Sequence, residues 1–587
     1  MALIMTAALA ATFTTAAPRA WTAPPTAAPV SHTIGYDHYS LLLDGHRMYL
    51  WGAEFHYWRL PSPGLWRDVL QKLRAGGFNA VSIYFDWAYH SPAPGVYDFT
   101  GVRDVDELLD IAAEVGIYVV ARPGPYINAE TDSGGFPAWV DTLKGRSRSG
   151  DADFQAASDE WLDHIDPILA RHQYTDGRGT VILYQIENEY GTNTDAAYMA
   201  HTEELVRGHG IAVPFTHNHC CGSATWATGT GAVDIPGQDS YPQGFNCASP
   251  TRWNPAGGLP RFRDDAPIYT PEFQGGSFDP WGGPGYENCR QLTGADFEKV
   301  FYKNNIAVGA TMQSFYMTYG GTSWGWSPDP SQVYTSYDYG AALTEPRQLT
   351  TKYDEMKRIG YFVGSVAPLT KTDAFATAPP DNATVLQQSR INPDDGTQFL
   401  TLRHRDSTST AADDTHISVD LGARATYTWD DRDSAVRYQG AWSHVGSEVN
   451  YTGADYRQTE SFSSTVDDSV SVDFTGTSVR WISSYDGNHG IADVYLDGAK
   501  VATVDGYGST KATQQVFYAA HDLADGAHTL RIVVTGQQNP AASGHFVVVD
   551  AIDVPPPGAG FYPVVPQEPG TAITLAGRDA KVLVANY

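Results

Sequence analysis

The sequence predicts a (β/α)8 barrel followed by an all-β region that a separate β-sandwich interrupts, and three observations predict it. Between residues 35 and 360, eight short apolar runs alternate with amphipathic helical patterns. After Gly364 the periodicity changes to two, as in Phe399–Ser407 and His416–Gly422. From Thr428 to Val554, Gly, Asp, Ser and Thr accumulate around alternating apolar positions, with turn signals at Asp497-Gly498 and Asp525-Gly526.

Residues 1–30 carry one charge, Arg19, in an apolar, small-residue stretch that passes into a Pro/Ala/Thr segment. They read as a leader and linker, which predicts a secreted protein. The candidate barrel strands are Tyr49–Phe55, Asn79–Phe85, Gly116–Arg122, Thr180–Glu187, Val213–His217, Val233–Asp239, Ile268–Phe273 and Thr311–Tyr319. Helical patterns lie over Pro63–Ala75, Val105–Val115, Ala156–His172, Asp195–Gly208 and Asp296–Val308. The barrel domain is therefore set at 35–360. The segments 365–428 and 560–587 are read as two halves of one β domain, and 429–555 as an inserted sandwich, with Pro555–Gly560 as punctuation. Trp442, Trp481 and Tyr485 of that insertion could stack on sugars or pack in its core.

Composition narrows the function. The 587 residues are 42% hydrophobic and 12% aromatic, with 15 Trp and 34 Tyr. Acidic residues outnumber basic ones by 67 to 38, a net charge of −29, which disfavours a nucleic-acid partner. After the leader no apolar stretch approaches the ~20 residues of a membrane span, so no membrane partner is expected. Low charge content beside many aromatics suits neutral, hydroxyl-rich ligands. Of four cysteines, none has metal-ligand spacing. In an exported chain Cys247 and Cys289 could form a staple across long loops. Adjacent Cys220 and Cys221 could bond to each other only with strain, or stay as thiols.

In such a barrel, chemistry sits where strands end. LYQIENEYG (183–191) ends an apolar strand in Glu187, Asn188 and Glu189, and PIYTPEFQGG (267–276) ends another in Glu272. Paired carboxylates at two strand mouths are what glycosidic cleavage requires, one to donate a proton and one to attack carbon. A lone barrel-top Glu more often forms an ion pair or caps a helix.

Seven segments tip that balance. RPGPYINAETDSGGFPAWV (122–140), QIENEYG (185–191), DSYPQGFNC (239–247), EFQGGSFDPWGG (272–283), YMTYGGTSWGW (316–326), TSYDYGAAL (335–343) and the stretch 52–87 together resemble glycoside hydrolase family 35, mainly retaining β-galactosidases. The resemblance implies Glu189 as acid/base, Glu272 as nucleophile, and no metal or organic cofactor. It implies a sugar-binding wall of Tyr84, Asn128, Ala129 (through its backbone), Glu130, Asn188, Tyr241, Tyr316 and Tyr339, with Tyr337 as the alternative to Tyr339. The expected partner is a galactoside oligosaccharide or polysaccharide cleaved from its non-reducing end. Alternatives are a β-1,3-galactosyl or glucosaminyl specificity on the same scaffold, or a non-catalytic carbohydrate-binding protein, which the presence of both glutamates opposes. Glu187, two residues before Glu189, is expected to face away from the cavity as a structural residue and pair with an Arg. Arg122 and Glu54 are expected to support the site. The insertion resembles a jelly-roll module of carbohydrate enzymes.

Overall fold

The computed structural model describes residues 31–177, 179–220, 222–375, 377, 379–419, 427–446, 455–476, 478–509, 511–520, 523–524, 526–554, 564–565 and 571–587. The leader, Cys221, Asp525 and Pro555–Gly560 lie outside them.

Eight parallel strands make the barrel: β1 Leu50–Phe55, β2 Ala80–Tyr84, β3 Tyr118–Arg122, β4 Val181–Gln185, β5 Phe215–His219, β6 Ile235–Gln238, β7 Ile268–Gln274 and β8 Ala310–Tyr319. They pair in the order β7-β8-β1-β2-β3-β4-β5-β6. Ser240 closes the ring against β7: its N–H donates to the Glu272 carbonyl at 2.8 Å, and its carbonyl accepts from Gln274 N–H at 3.0 Å. All eight strands fall where the apolar runs predict them. Most positions are buried, as expected of strands covered on both faces.

The helices follow from local chemistry. α1 (Pro63–Ala75) starts with proline in its first turn and buries Trp66, Val69, Leu70 and Leu73, a spacing that puts all four on one face. α2 (Val105–Val115) is capped by the Asp104 carboxylate, which accepts from Glu107 N–H, and ends at Gly116 with φ +75°. α3 (Ala152–Arg171), α4 (Ala196–Gly208) and α5 (Ala295–Val308) complete the predicted set, α3 beginning four residues before the predicted start. α6 (Thr351–Ser365) was not predicted from the sequence. Its interior Gly360 weakens the helical signal, yet a Cβ there would come within 2.8 Å of the Trp51 indole, so glycine allows the close crossing over β1.

Beyond α6 the sheets are antiparallel. Gln398–His404 lies between Val385–Ile391 and Ala580–Ala585, Asp413–Thr415 pairs with Ile573–Leu575, and Ile417–Ser418 pairs with Val564–Val565. Between them in sequence, two larger sheets enclose a separate core. Trp481 is only 1% exposed there, so it packs in the core, and Tyr485 lies against Phe517. Trp442 is half-buried against Tyr438. Among the described residues no helix is long and apolar enough to cross a membrane.

Candidate active site

The catalytic end of the barrel holds a cavity of about 330 Å³. Nine of the ten predicted catalytic and sugar-binding residues line it: Tyr84, Asn128, Ala129, Glu130, Asn188, Glu189, Tyr241, Glu272 and Tyr316. Tyr339 stands behind them, its ring on Tyr316 and Tyr337, and its buried hydroxyl has no partner among the described residues. Tyr337 also lies behind the wall, donating its hydroxyl to Glu130 Oε2, which accepts from Tyr316 at 3.1 Å as well.

Glu272 sits in β7 and is 5% exposed. Its Oε1 accepts from the Arg122 guanidinium at 2.5 Å and the Tyr84 hydroxyl at 2.6 Å, and its Oε2 from the Tyr241 hydroxyl at 2.5 Å. Charge-assisted bonds of this kind are among the strongest a protein makes. Arg122 thus touches the site itself rather than only bracing it, and Glu54 holds its other arm at 3.0 Å.

β4 ends at Gln185, and Glu187 (φ +57°) and Glu189 (φ +46°) then take left-handed backbone. Side-chain alternation along a strand therefore does not explain their opposite directions; two left-handed residues do. Glu187 turns away to Arg148 at 2.8 Å and to the Tyr198 hydroxyl on α4 at 2.8 Å, the ion pair expected of it. Glu189 faces the cavity. Burial first, then the nearby charges of Glu272 and Glu130, push its carboxyl up to about 7.

Asn128, Ala129 and Glu130 also have φ of +54°, +52° and +47°. Such residues cost of order 1–3 kcal/mol each and gather at functional sites. Arg59 holds the run by donating to the Ala129 carbonyl at 2.8 Å.

Two polar residues join the site without having been predicted. Asn218 in β5 accepts from Glu189 N–H at 3.1 Å, and its Nδ2 donates to Asn188 Oδ1 and Asp239 Oδ2, both at 2.7 Å. Asp239, directly after β6, lines the cavity as a further carboxyl, pushed well up by burial and by Glu272 and Glu189. Its strand-end position was the available signal. Asn218 carried the same signal, since it directly follows the predicted run Val213–His217, although the strand itself runs on to His219. Phe245 and Phe278, stacked 4.8 Å apart, and Gln332 complete much of the rim, and Cys220 also lines it.

Four carboxyls therefore share one cavity with few cations. One is saturated by hydrogen-bond donors, and a second takes up or gives a proton near neutral pH. The remaining surface is largely hydroxyls, amides and rings, suited to a neutral polyol. Among the described residues no cluster of His, Cys, Asp and Glu could hold a metal ion. Cys247 and Cys289 are joined as a disulfide, as the sequence suggested.

A family model for glycosyl hydrolases family 35 matches residues 40–362. β-Galactosidase A of Aspergillus niger is 39% identical over 455 residues, 72% of this chain and 44% of that protein. A probable β-galactosidase A of Aspergillus fumigatus is 41% identical over 450 residues, with the same two shares. A further β-galactosidase of Aspergillus niger is 44% identical over 368 residues, 60% of this chain and 36% of that protein. The chain thus spans less than half the length of these relatives.

Proposed function

The chain belongs to glycosyl hydrolase family 35, and on that premise we propose that it is a retaining exo-β-galactosidase acting on terminal non-reducing β-galactosyl residues. The observation that carries this reading is the unequal environment of two carboxyls facing one cavity. Glu272 is surrounded by Arg122, Tyr84 and Tyr241, whereas Glu189 is raised to about 7 by burial and by Glu272 itself. Environments that push two carboxyls apart assign their roles.

Glu272 attacks the anomeric carbon while Glu189 passes its proton to the departing glycosidic oxygen. The product is a galactosyl ester on Glu272. Esterification removes the negative charge beside Glu189, which lowers its proton affinity and fits it to take a proton from the incoming water. Asn188, Glu130, Tyr316 and the backbone of Ala129 hold the hydroxyls. A site built to pair each hydroxyl rejects the C4 epimer, because a misplaced hydroxyl strands buried polar groups.

Two further readings accompany this one. The Cys247–Cys289 disulfide supports export, since such bonds persist in oxidising compartments. The pairing of 398–404 with 580–585 supports a β domain interrupted by the sandwich at 429–555.

The test is hydrolysis of nitrophenyl β-galactoside and β-glucoside with the product anomer followed by NMR. β-Galactose as first product, a strong galactoside preference and loss of turnover in Glu272→Gln are expected. An α-anomer as first product, or unchanged turnover in the variant, overturns the assignment.

A further inference from the structure

A second cavity, about 450 Å³, opens at the same end of the barrel. Tyr89 and Asp98 from the β2 loop, Arg103 ahead of α2, Asp132 and Phe136 from the β3 loop and Trp326 from the β8 loop shape it. It shares a partition with the first cavity. Ile127–Glu130 and Gln332 face the first, and Asp132, Phe136 and Trp326 face the second. Backbone bonds knit the partition together: Asp132 N–H donates to the Ser327 carbonyl at 2.9 Å, and Asp329 N–H to the Glu130 carbonyl at 3.0 Å. Thr131 bridges Pro328 between them. The wall is thus only one or two residues thick.

The lining indicates the ligand. Trp326 is 59% exposed on a loop tied to the barrel, leaving a large apolar face in water. Arg103 is already occupied: its Nε donates to the Tyr89 carbonyl at 2.7 Å, its guanidinium lies over the Tyr89 ring, and Nη1 is 3.6 Å from Asp98. With Asp98 and Asp132 the cavity carries both signs of charge, so it does not select an anion or a cation. An open indole face beside planar carboxylates and a guanidinium matches a neutral pyranose, which offers C–H bonds on its faces and hydroxyls at its edges.

We propose that this cavity is an accessory saccharide site, holding a further sugar unit of a chain whose galactosyl end occupies the catalytic cavity. The substrate class is then an oligosaccharide or polysaccharide rather than a galactoside with a small aglycone; this rests on the galactosidase reading above. The site is a second pocket across the partition and is separate from the Phe245–Phe278 rim.

The test compares Trp326→Ala with the unaltered protein on nitrophenyl β-galactoside and on β-1,4-galactotetraose. Loss of one stacking face raises KM for the tetraose about fivefold, with kcat unchanged and the nitrophenyl substrate affected less than about twofold. Binding of the tetraose is also titrated by tryptophan fluorescence in Glu272→Gln, with and without Trp326→Ala, where an affinity loss of about fivefold is expected. Equal effects on both substrates, or an unchanged tetraose affinity, overturn the proposal. Failure of the unaltered protein to cleave the nitrophenyl substrate sinks the galactosidase reading instead, and the binding titration still decides the second cavity.

Discussion

Arg122 Nη2 stands 2.5 Å from Glu272 Oε1, while Nη1 of the same guanidinium stands 3.0 Å from Glu54 Oε2. All three groups are buried, so one cation stabilises two carboxyls. Burial pushes Glu54 up to about 7, with the pull of Arg122 opposing it and the charge of Glu272 adding to it. Arg122→Met deprives the Glu272 carboxylate of its cation and of one of the three donors that hold it in place. Expected is a loss in kcat/KM on the order of 10³, roughly 4 kcal/mol of transition-state stabilisation. Breaking a buried pair also costs about 3–5 kcal/mol of stability, measured by urea unfolding. Arg122→Lys keeps the charge but not the two-armed geometry, and falls between. Activity of Arg122→Met within tenfold of the unaltered protein contradicts this account.

The pH profile follows from Glu189. On the proposed scheme bond cleavage needs its proton, and the carboxyl is raised to about 7 by burial, Glu272 and Glu130. Activity therefore falls as pH rises through about 7, and kcat/KM drops roughly tenfold per unit above it. Glu189→Gln removes that alkaline limb. With a dinitrophenyl galactoside, whose leaving group needs no proton, the first step survives and the galactosyl ester accumulates because no base activates water. A burst of dinitrophenol followed by slow turnover is the expected trace, and an unchanged alkaline limb in the variant refutes the role.

Asn218 touches no reacting atom in this scheme, yet it joins Glu189 N–H, Asn188 and Asp239. Asn218→Ala leaves three buried polar partners short of a bond, at about 1–3 kcal/mol for each left unsatisfied. As a positioning residue it should affect kcat more than KM, by about 10²-fold. Asn218→Asp restores the acceptor to Glu189 N–H but not the donor to Asn188, so partial recovery is expected. A change confined to thermal stability, with kcat intact, assigns Asn218 to folding alone.

The parts of this molecule that were readable from sequence are those governed by short-range periodicity. Eight apolar runs became eight strands because a doubly covered parallel strand must be apolar along its length. Glu272 could be found because chemistry on this fold collects at strand ends. Relationships set by ring closure were not readable. Tyr84 meets Glu272 across 188 residues, and nothing in either segment states the distance between them. Asn218 lay just past the predicted run Val213–His217, and only ring closure brings Asn188 and Asp239 to it. The direction of Glu187 was anticipated, but alternation along an extended strand would put residues two apart on the same face; left-handed residues at 187 and 189 turn them apart. α6 was missed because Gly360 lowers the helical signal at the point where Trp51 demands it.

The Cys247–Cys289 disulfide closes a span of 42 residues that contains Phe245's neighbouring loop and Phe278 on β7's far side. Cys247 follows Phe245 by two residues, and Cys289 lies in the short helix Tyr286–Leu292. The bond thereby ties together the two loops whose rings stack 4.8 Å apart at the cavity rim. A loop of this size contributes about 4 kcal/mol through chain entropy in the unfolded state. Replacing both cysteines with serine should lower the thermal midpoint and remove the sensitivity of that midpoint to a thiol reductant. Because the rim loops lose their tether while Glu272 stays in β7 and Glu189 stays on the turn after β4, KM for oligosaccharides should rise with kcat nearly preserved. A variant with the original KM and a lower midpoint restricts the bond to stability, and one with an unaltered midpoint removes the entropic argument as well.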